Sequence, residues 1–139
     1  MQTIPVSAVL ITLNAASQLE NTLRSLRFCD DLVIVDSGST DGTLDIANKY
    51  GARVFQLEWK GFGPQKQFAV AKAKNDWVLC LDADEEVTAE LQQSIRQSLT
   101  ETVVNTSAES STSNSIGPSM DTYAGYRMPR CNHFLGRYL

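Results

Sequence analysis

Short runs of apolar residues, separated by segments with helical spacing, dominate the first hundred positions of the chain. Most of the runs are rich in β-branched residues and almost wholly apolar, which is typical of strands buried on both faces of a parallel sheet. The runs cover residues 6–13, 32–35, 53–55 and 77–81. The pattern therefore predicts four strands, of which the third is short.

Helical spacing of apolar residues marks the segments between these strands. Leu19, Leu23 and Leu26 recur at spacings of four and three, which predicts an amphipathic helix capped by Ser17. A later helix carries Leu91, and Thr88 is its predicted cap. Helices are predicted over residues 17–26, 43–50, 64–73 and 88–99. The alternation predicts an α/β fold with a mostly parallel sheet, right-handed crossovers and helices on both faces.

The pattern changes after residue 99. Residues 100–121 are dominated by Ser, Thr and Asn, and we expect a flexible polar loop there. Residues 122–139 regain aromatic residues, interleaved with arginines. The sequence therefore predicts three parts: an α/β unit over 1–99, a loop over 100–121 and a basic, aromatic segment over 122–139.

Composition and charge narrow the class of protein. Hydrophobic residues make up 42% of the 139 positions and charged residues 20%, so the chain is able to bury a core. The net charge of −4 argues against a protein that coats a nucleic-acid backbone. Three widely spaced cysteines favour a reducing compartment over a disulfide framework. No apolar run is long enough to span a bilayer, so we expect at most a surface contact with a membrane.

Polar and acidic residues follow three of the predicted strands. Ligands of open α/β sheets bind outside the carboxyl ends of the strands, so these positions are the candidates for chemistry. The three sets are Thr12 to Asn14, Asp36 to Asp41, and Asp82 to Glu86. Because like charges repel, we expect a cation to neutralise such an acidic edge.

The D-x-D pattern formed by Asp82, Ala83 and Asp84 is a candidate metal site. Mg²⁺ and Mn²⁺ prefer oxygen ligands and commonly take one or two carboxylates together with substrate phosphates. On its own the pattern is more often a solvated helix cap, but a buried strand before it and the matching acidic loop after Val35 favour a ligand site. Among the residues after Val35, Asp36 is the candidate for reading a ligand hydroxyl or ring N–H.

Other residues of that loop have a simpler interpretation. We expect Ser39, Asp41 and Gly42 to form a turn that caps the next helix. Trp59 and Trp77 are expected to pack rather than to bind sugars, and Cys29 and Cys80 are expected in the core. 

These motifs together resemble the amino-terminal half of a glycosyltransferase of family 2 with the GT-A fold. The resemblance is carried by residues 11–14, 33–43 and 79–85, whose order and spacing match. Residues 61–69 and 125–137 are similar to the bacterial branch that adds sugars, often glucose, to the heptose of the lipopolysaccharide core. The carboxy-terminal part of the fold is expected to be missing from the chain.

The resemblance implies a nucleotide-sugar site and a role for each residue in it. Thr12, Leu13 and Asn14 would line the base pocket, and Asp36 would accept a hydrogen bond from uracil. Lys66 would lie near the diphosphate, while Asp82, Ala83 and Asp84 would approach the ribose, the donor sugar and the metal. The implied cofactor is Mg²⁺ or Mn²⁺, with Asp84 and Asp82 as ligands. The implied partner is a UDP-sugar donor, with no nucleic acid.

The resemblance also implies the reaction and its acceptor. Family 2 enzymes generally invert the anomeric centre, with a carboxylate as base. No acid follows Asp121, so we assign no base. Arg127 and Arg130 would face a lipid-linked saccharide acceptor or an anionic inner membrane surface, which implies a cytoplasmic location. An ordinary solvated basic face is the alternative for these arginines.

A second hypothesis is that the chain is a non-catalytic UDP-binding remnant that lacks the acceptor half and the base. Two other classes of protein do not fit the sequence. A haloacid-dehalogenase phosphatase carries its D-x-D after the first strand, whereas here it follows the fourth. A response-regulator receiver needs an acidic pair after the first strand, and this chain has Asn14 and Ala15 there.

Overall fold

A computed structural model describes residues 2–108, 133–134 and 137–138 of the chain. Four strands alternate with four helices, as the hydrophobic pattern predicts, and two further short strands follow. The elements are β1 (Ile4–Thr12), α1 (Ala16–Ser25), β2 (Cys29–Asp36), α2 (Thr43–Lys49), β3 (Arg53–Gln56), α3 (Phe62–Ala71), β4 (Trp77–Asp82), α4 (Ala89–Ala108), β5 (His133–Phe134) and β6 (Arg137–Tyr138).

The chain divides into two compact units, residues 1–106 and 107–139. In the first unit, β1 to β4 form a parallel sheet in the order β3-β2-β1-β4. In the second unit, β5 and β6 pair antiparallel. The strand order of the first unit reverses between β1 and β4, and that reversal is where open α/β sheets bind ligands.

Side chains on both faces of the sheet are buried. Val9, Val33 and Val35 point to one face, where they pack with Ala69 of α3. Ala8, Leu10 and Ile34 alternate with them and are also buried, so they line the opposite face. The predicted α/β architecture with a parallel sheet is therefore confirmed for the described residues.

The α1 helix begins differently from the prediction. It starts at Ala16, after Ala15, and no side chain of its own caps it, so the expected cap at Ser17 is wrong. Thr88 does cap α4, because its Oγ1 accepts the Leu91 N–H at 3.2 Å. Gly51, with φ of +72°, lies just beyond the C-cap of α2 in a conformation that glycine adopts without strain.

The α4 helix extends further than the prediction. It runs to Ala108 and therefore includes residues 100–108, which we expected to belong to the polar loop. A mostly polar sequence can continue a helix that has already been nucleated, since propagation adds one hydrogen bond for each residue fixed. The remainder of that segment, residues 109–121, lies outside the described residues.

A network of hydrogen bonds joins three strands away from the carboxyl edge. The buried Asp31 of β2 accepts from Arg53 Nε and Nη2, both at 2.9 Å, and from Ser7 Oγ at 2.6 Å. The Lys74 backbone N–H, between α3 and β4, donates to the same carboxylate at 2.9 Å. The pKa of Asp31 lies below its usual value because the hydrogen bonds, led by Arg53, outweigh burial, which is the largest single effect and acts to raise it.

None of the helices in the described part of the chain combines the length and the hydrophobicity that a bilayer crossing requires.

Candidate active site

The parallel register brings the predicted site residues to one edge of the sheet. Thr12, the last residue of β1, is paired with Asp36, the last residue of β2. On the other side of β1, Ile11 is paired with Asp82, the last residue of β4. The carboxyl ends of three neighbouring strands therefore present Thr12, Asp36 and Asp82 together.

Asp36 is fully buried and its carboxylate oxygens are occupied. Oδ1 accepts from Thr12 Oγ1 at 2.8 Å and from Ser39 Oγ at 2.5 Å. Oδ2 accepts the backbone N–H groups of Gly38 at 2.9 Å and Ser39 at 2.8 Å. Burial is the largest effect on the pKa of Asp36 and acts to raise it, but these hydrogen bonds together hold the pKa below its usual value.

This arrangement bears on the predicted contact between Asp36 and uracil. A carboxylate offers about four lone-pair positions, and donors of the chain use four here. A uracil N–H would have to displace one of those donors. The contact stays a prediction, whereas the structure shows Asp36 fixing the turn that follows β2.

Asn14 connects the loops that follow β1 and β2. Its side-chain Oδ1 accepts the Thr40 N–H at 2.8 Å and lies 3.4 Å from the Asp41 N, while its own backbone N–H donates to Ser39 Oγ at 2.8 Å. Asn14 has a positive φ of 50°, a conformation that asparagine tolerates better than most residues. An asparagine thus suits both the backbone and the contacts of this position, which is exposed to solvent together with Leu13.

Asp41 serves the amino ends of two helices. One carboxylate oxygen accepts the Ala16 N–H of α1 at 3.1 Å, and the other accepts the Thr43 N–H of α2 at 3.0 Å. Thr43 Oγ1 also donates to Asp41 and accepts the Ala15 N–H at 2.9 Å. The pKa of Asp41 is lowered, first by the Thr43 hydroxyl. The expected capping role is therefore confirmed for Asp41, which caps α1 as well as α2.

Lys66 and Asp82 form an ion pair at the same edge. Lys66 Nζ of α3 lies 3.1 Å from Asp82 Oδ1 at the end of β4, and both side chains are roughly 40% exposed (40% and 43%). The Asp82 backbone N–H donates to Glu85 Oε2 at 2.9 Å, which closes the turn after the strand. The predicted diphosphate and sugar residues are thus neighbours, and the pair is open to solvent.

The α1 helix holds the turn that carries the D-x-D pattern. Thr22 Oγ1, which is buried, donates to the Ala83 backbone oxygen at 2.8 Å, and Ser25 Oγ accepts the Val87 N–H at 3.0 Å. Asp84 is exposed. The hydrogen bonds from α1 therefore fix the turn, and the Asp84 carboxylate faces solvent.

Internal partners compensate the acidic residues at this edge. We expected the acidic cluster to need a cation, but four hydrogen bonds satisfy Asp36, two helix termini and Thr43 satisfy Asp41, and Lys66 pairs with Asp82. The electrostatic argument for a metal therefore rests on the exposed carboxylate of Asp84 and not on Asp36, Asp41 or Asp82. Among residues 2–100, no group of three or more His, Cys, Asp or Glu side chains is arranged to hold a metal ion.

Gln65 is a further residue at this site, and the motifs of the sequence do not mark it. It is buried on α3, and its Nε2 donates to Ser37 Oγ at 3.1 Å and to the Leu57 backbone oxygen at 3.4 Å. Its Oε1 has no partner in the described part of the chain. Its place in the sequence could have indicated this role, because a polar residue stands there at a helix position that is expected to face the sheet, one residue before Lys66.

Some predicted residues lie elsewhere or outside the described chain. Cys80 is exposed rather than buried, because it points to the opposite face of the edge strand β4 from the buried Leu79 and Leu81, while Cys29 is buried as expected. Trp59 packs against Phe62, although it is 47% exposed. The predicted acceptor residues Arg127 and Arg130 lie outside the described residues.

Solved structures with a similar fold are glycosyltransferases. The first unit resembles TarS of Staphylococcus aureus in complex with UDP-GlcNAc, with a TM-score of 0.62, 28% identity, and coverage of 70% of this chain and 32% of that one. It also resembles glucosyl-3-phosphoglycerate synthase of Mycobacterium tuberculosis in complex with Mn²⁺, UDP and glucosyl-3-phosphoglycerate, with a TM-score of 0.52, 28% identity, and coverage of 59% and 35%. The predicted GT-A fold class is therefore confirmed.

Two curated relatives show how much of a longer protein the chain matches. An uncharacterized glycosyltransferase of Rickettsia bellii is 45% identical over 91 residues, which cover 65% of this chain and 31% of the relative. The lipopolysaccharide core biosynthesis glycosyltransferase LpsC of Rhizobium meliloti is 38% identical over 95 residues, covering 65% and 35%. The chain spans about a third of the length of these relatives.

The family itself is identified by a match that covers most of the chain. The sequence model described as Glycosyl transferase family 2 matches residues 7–134, a range that includes every candidate site residue named above. The chain belongs to glycosyltransferase family 2.

Proposed function

We propose that the chain is the donor-binding part of an inverting glycosyltransferase that takes a sugar from a UDP-sugar. The observation that carries the proposal is the meeting of Asn14, Asp36 and the Lys66–Asp82 ion pair at one sheet edge, next to the reversal of strand order. The solved relatives in complex with UDP-GlcNAc and with UDP support a UDP donor. The lipopolysaccharide relative supports a core-type acceptor, and we propose UDP-glucose as the donor.

In this proposal, different residues of the chain contact different parts of the donor. Thr12, Leu13 and Asn14 form the side of the site next to Asp36, which holds their loop against the loop after β2. Lys66 lies next to Asp82, where the diphosphate would place its negative charge. Departure of a nucleoside diphosphate increases the charge on its oxygen, and a fixed cation within reach lowers the barrier to that step.

The exposed carboxylate of Asp84 fits the role of a metal ligand. Mg²⁺ and Mn²⁺ accept one or two carboxylates and complete their coordination with phosphate oxygens and water. A set of three protein ligands is therefore not required, and Asp84, with Asp82 beside it, suits an ion that arrives with the nucleotide. When bound, such an ion supplies charge neutralisation for the diphosphate.

The acceptor side of the proposal rests on the carboxy-terminal segment. We propose that Arg127 and Arg130 face an anionic, lipid-linked saccharide at the inner surface of the cytoplasmic membrane, with the protein in the cytoplasm. Their positive charge matches phosphate groups of such an acceptor and of the membrane. Sugar transfer to a heptose-bearing acceptor separates this proposal from a non-catalytic protein that only binds UDP.

Calorimetric titration of the chain with UDP, with and without Mn²⁺, tests the donor site. We expect Mn²⁺-dependent UDP binding that Asp84→Asn weakens by about tenfold or more, because a ligand to the ion is lost. Lys66→Met should weaken UDP binding in both conditions, since it removes a charge-assisted contact and leaves Asp82 unbalanced. Asp45→Asn, an exposed change on α2, is the matched control and should have no effect. UDP affinity that neither site variant alters would refute the proposal.

A further inference from the structure

Two aromatic side chains between β3 and α3 form an exposed pair. The rings of Trp59 and Phe62 are 4.9 Å apart between centroids and nearly perpendicular, at 88°. Trp59 is 47% exposed and Phe62 is 70% exposed, which places them among the four large hydrophobic residues that are exposed in the described chain. Their edge-to-face contact fixes the rings relative to each other while leaving ring faces open to solvent.

The loop that carries Trp59 is attached to the turn around Asp36. The Leu57 N–H donates to the Asp36 backbone oxygen at 3.0 Å, directly beyond the pairing of Gln56 with Asp36. At the other end of the loop, the Gln65 amide bonds both Ser37 and Leu57. The pair therefore lies on a short segment held at both ends against the end of β2.

Phe62 also shares a face of α3 with the ion pair of the site. Residues four apart on a helix lie one above the other, so Phe62 lies one turn before Lys66. Lys66 reaches across to Asp82 at the end of β4. The aromatic pair thus borders the site on the side of β3 and β2, whereas Asp84 lies on the side of β4.

The backbone between the two rings is fixed rather than loose. Gly61 has φ of +101°, which side chains rarely tolerate, and its carbonyl accepts the Gln65 N–H at 3.1 Å to start α3. Nothing else in the described chain buries these two exposed apolar rings. A ligand with a flat ring could stack on the face of one of them, and little conformational entropy would be lost because the ring is already held in place.

We propose that Trp59, held edge-to-face by Phe62, forms a stacking surface for the uracil ring of the donor nucleotide. The inference rests on the proposed function, and it places the base beside the loop from residue 57 to residue 61, with the diphosphate towards Lys66. Stacking on an aromatic side chain uses the face of the base and leaves its edge free for polar groups. It therefore provides a base contact that does not require Asp36 to give up one of its four donors.

Calorimetric titration of UDP and of inorganic pyrophosphate into variants of the full 139-residue chain tests the stacking surface. We expect Trp59→Ala to lower UDP affinity about tenfold and Phe62→Ala, which removes the ring that holds Trp59 in place, to lower it by a smaller factor. Both variants should leave pyrophosphate affinity unchanged, because pyrophosphate has no ring. Trp59→Phe keeps an aromatic face and should retain most of the affinity. Val70→Ala removes another exposed apolar side chain, further along α3, and should change neither affinity.

The outcomes separate this inference from the proposed function. If the wild-type chain does not bind UDP, the proposed function fails. If it binds UDP and Trp59→Ala binds equally well, only the stacking surface is refuted. A loss seen with UDP-glucose but not with UDP would assign the rings to the sugar and refute the uracil contact. Unchanged UDP affinity with lost binding to phosphatidylglycerol vesicles would assign them to a membrane surface and refute it as well.

Discussion

At the scale of single residues, Asp36 shows how one carboxylate organises the site. Its charge is buried without a cation, which is costly unless hydrogen bonds replace those of water. Four donors supply that replacement, and they come from β1 and from the turn after β2. Removing the charge therefore changes the position of several site groups at once, and not only one contact with a ligand.

Asp36→Asn should destabilise the protein by about 2 kcal/mol, because one acceptor oxygen becomes an NH2 group and the hydrogen bonds lose the carboxylate charge. The amide oxygen can keep the Gly38 and Ser39 N–H groups, but the Thr12 and Ser39 hydroxyls must then turn and accept from the NH2 group, so they lose their acceptor. Urea unfolding measures the loss as a lower midpoint at an unchanged slope. Asp45→Asn is the control, with an expected change within about 0.5 kcal/mol. Equal midpoints for the two variants would contradict the organising role of Asp36.

The sequence predicted which residues stand at the strand ends but not which partners they choose. Thr12, Asp36 and Asp82 were predictable because each directly follows a buried apolar run. The hydrogen bonds of Ser39 and Gln65 were not predictable, because their partners lie on other loops whose positions the local sequence does not specify. The same limit explains Cys80, because an apolar run does not tell which face of β4 other elements cover.

At the scale of elements, α1 shows that a helix can take its cap from another element. Asp41 lies just before α2 and bonds the Thr43 N–H there, and it also accepts the Ala16 N–H of α1, while Thr43 accepts the Ala15 N–H. Local sequence rules look for the cap directly before the helix, so they selected Ser17. The shared cap fixes the loop after β1 relative to the loop after β2, and these are the loops that form one side of the site.

The hydrogen-bonded network around Asp31 is the second arrangement that joins elements. It connects β1, β2, β3 and the segment before β4, and it lies away from the site. Arg53 is half exposed, so solvent screens part of the attraction between Arg53 and Asp31. The Asp31 carboxylate, in contrast, is almost fully buried. The network therefore contributes to stability chiefly through the buried acceptor.

Stability should fall in acid because of Asp31. Its folded pKa lies below the value of about 3.9 in unfolded chains, so the contribution is complete above that value. It is lost as the pH falls from about 4 through the folded pKa, since protons then bind the unfolded chain first. Asp31→Asn should lower stability at pH 7 and flatten the decline between about pH 5 and pH 2 in urea unfolding. The same decline in the variant and the wild type would contradict this role.

At the scale of the whole molecule, the described site belongs to one folding unit. Thr12, Asp36, Lys66 and Asp84 all lie within residues 1–106, and they come from the ends of three strands and from α3. These groups are close together only when the sheet has formed. A ligand that needs several of them binds the folded chain and not the unfolded one. Its binding must therefore raise the free energy of unfolding.

UDP with Mn²⁺ should therefore raise the free energy of unfolding by an amount that calorimetry fixes in advance. At a free UDP concentration of 100 times the dissociation constant, the expected gain is about 2.7 kcal/mol at 25 °C. Urea unfolding with and without the ligand measures that gain directly. Asp84→Asn, compared at the same UDP concentration, should gain about 1.4 kcal/mol less for each tenfold loss of affinity. Equal gains in the variant and the wild type would mean that UDP binds without Asp84, and a gain far below the calorimetric value would mean that the unfolded chain binds UDP as well.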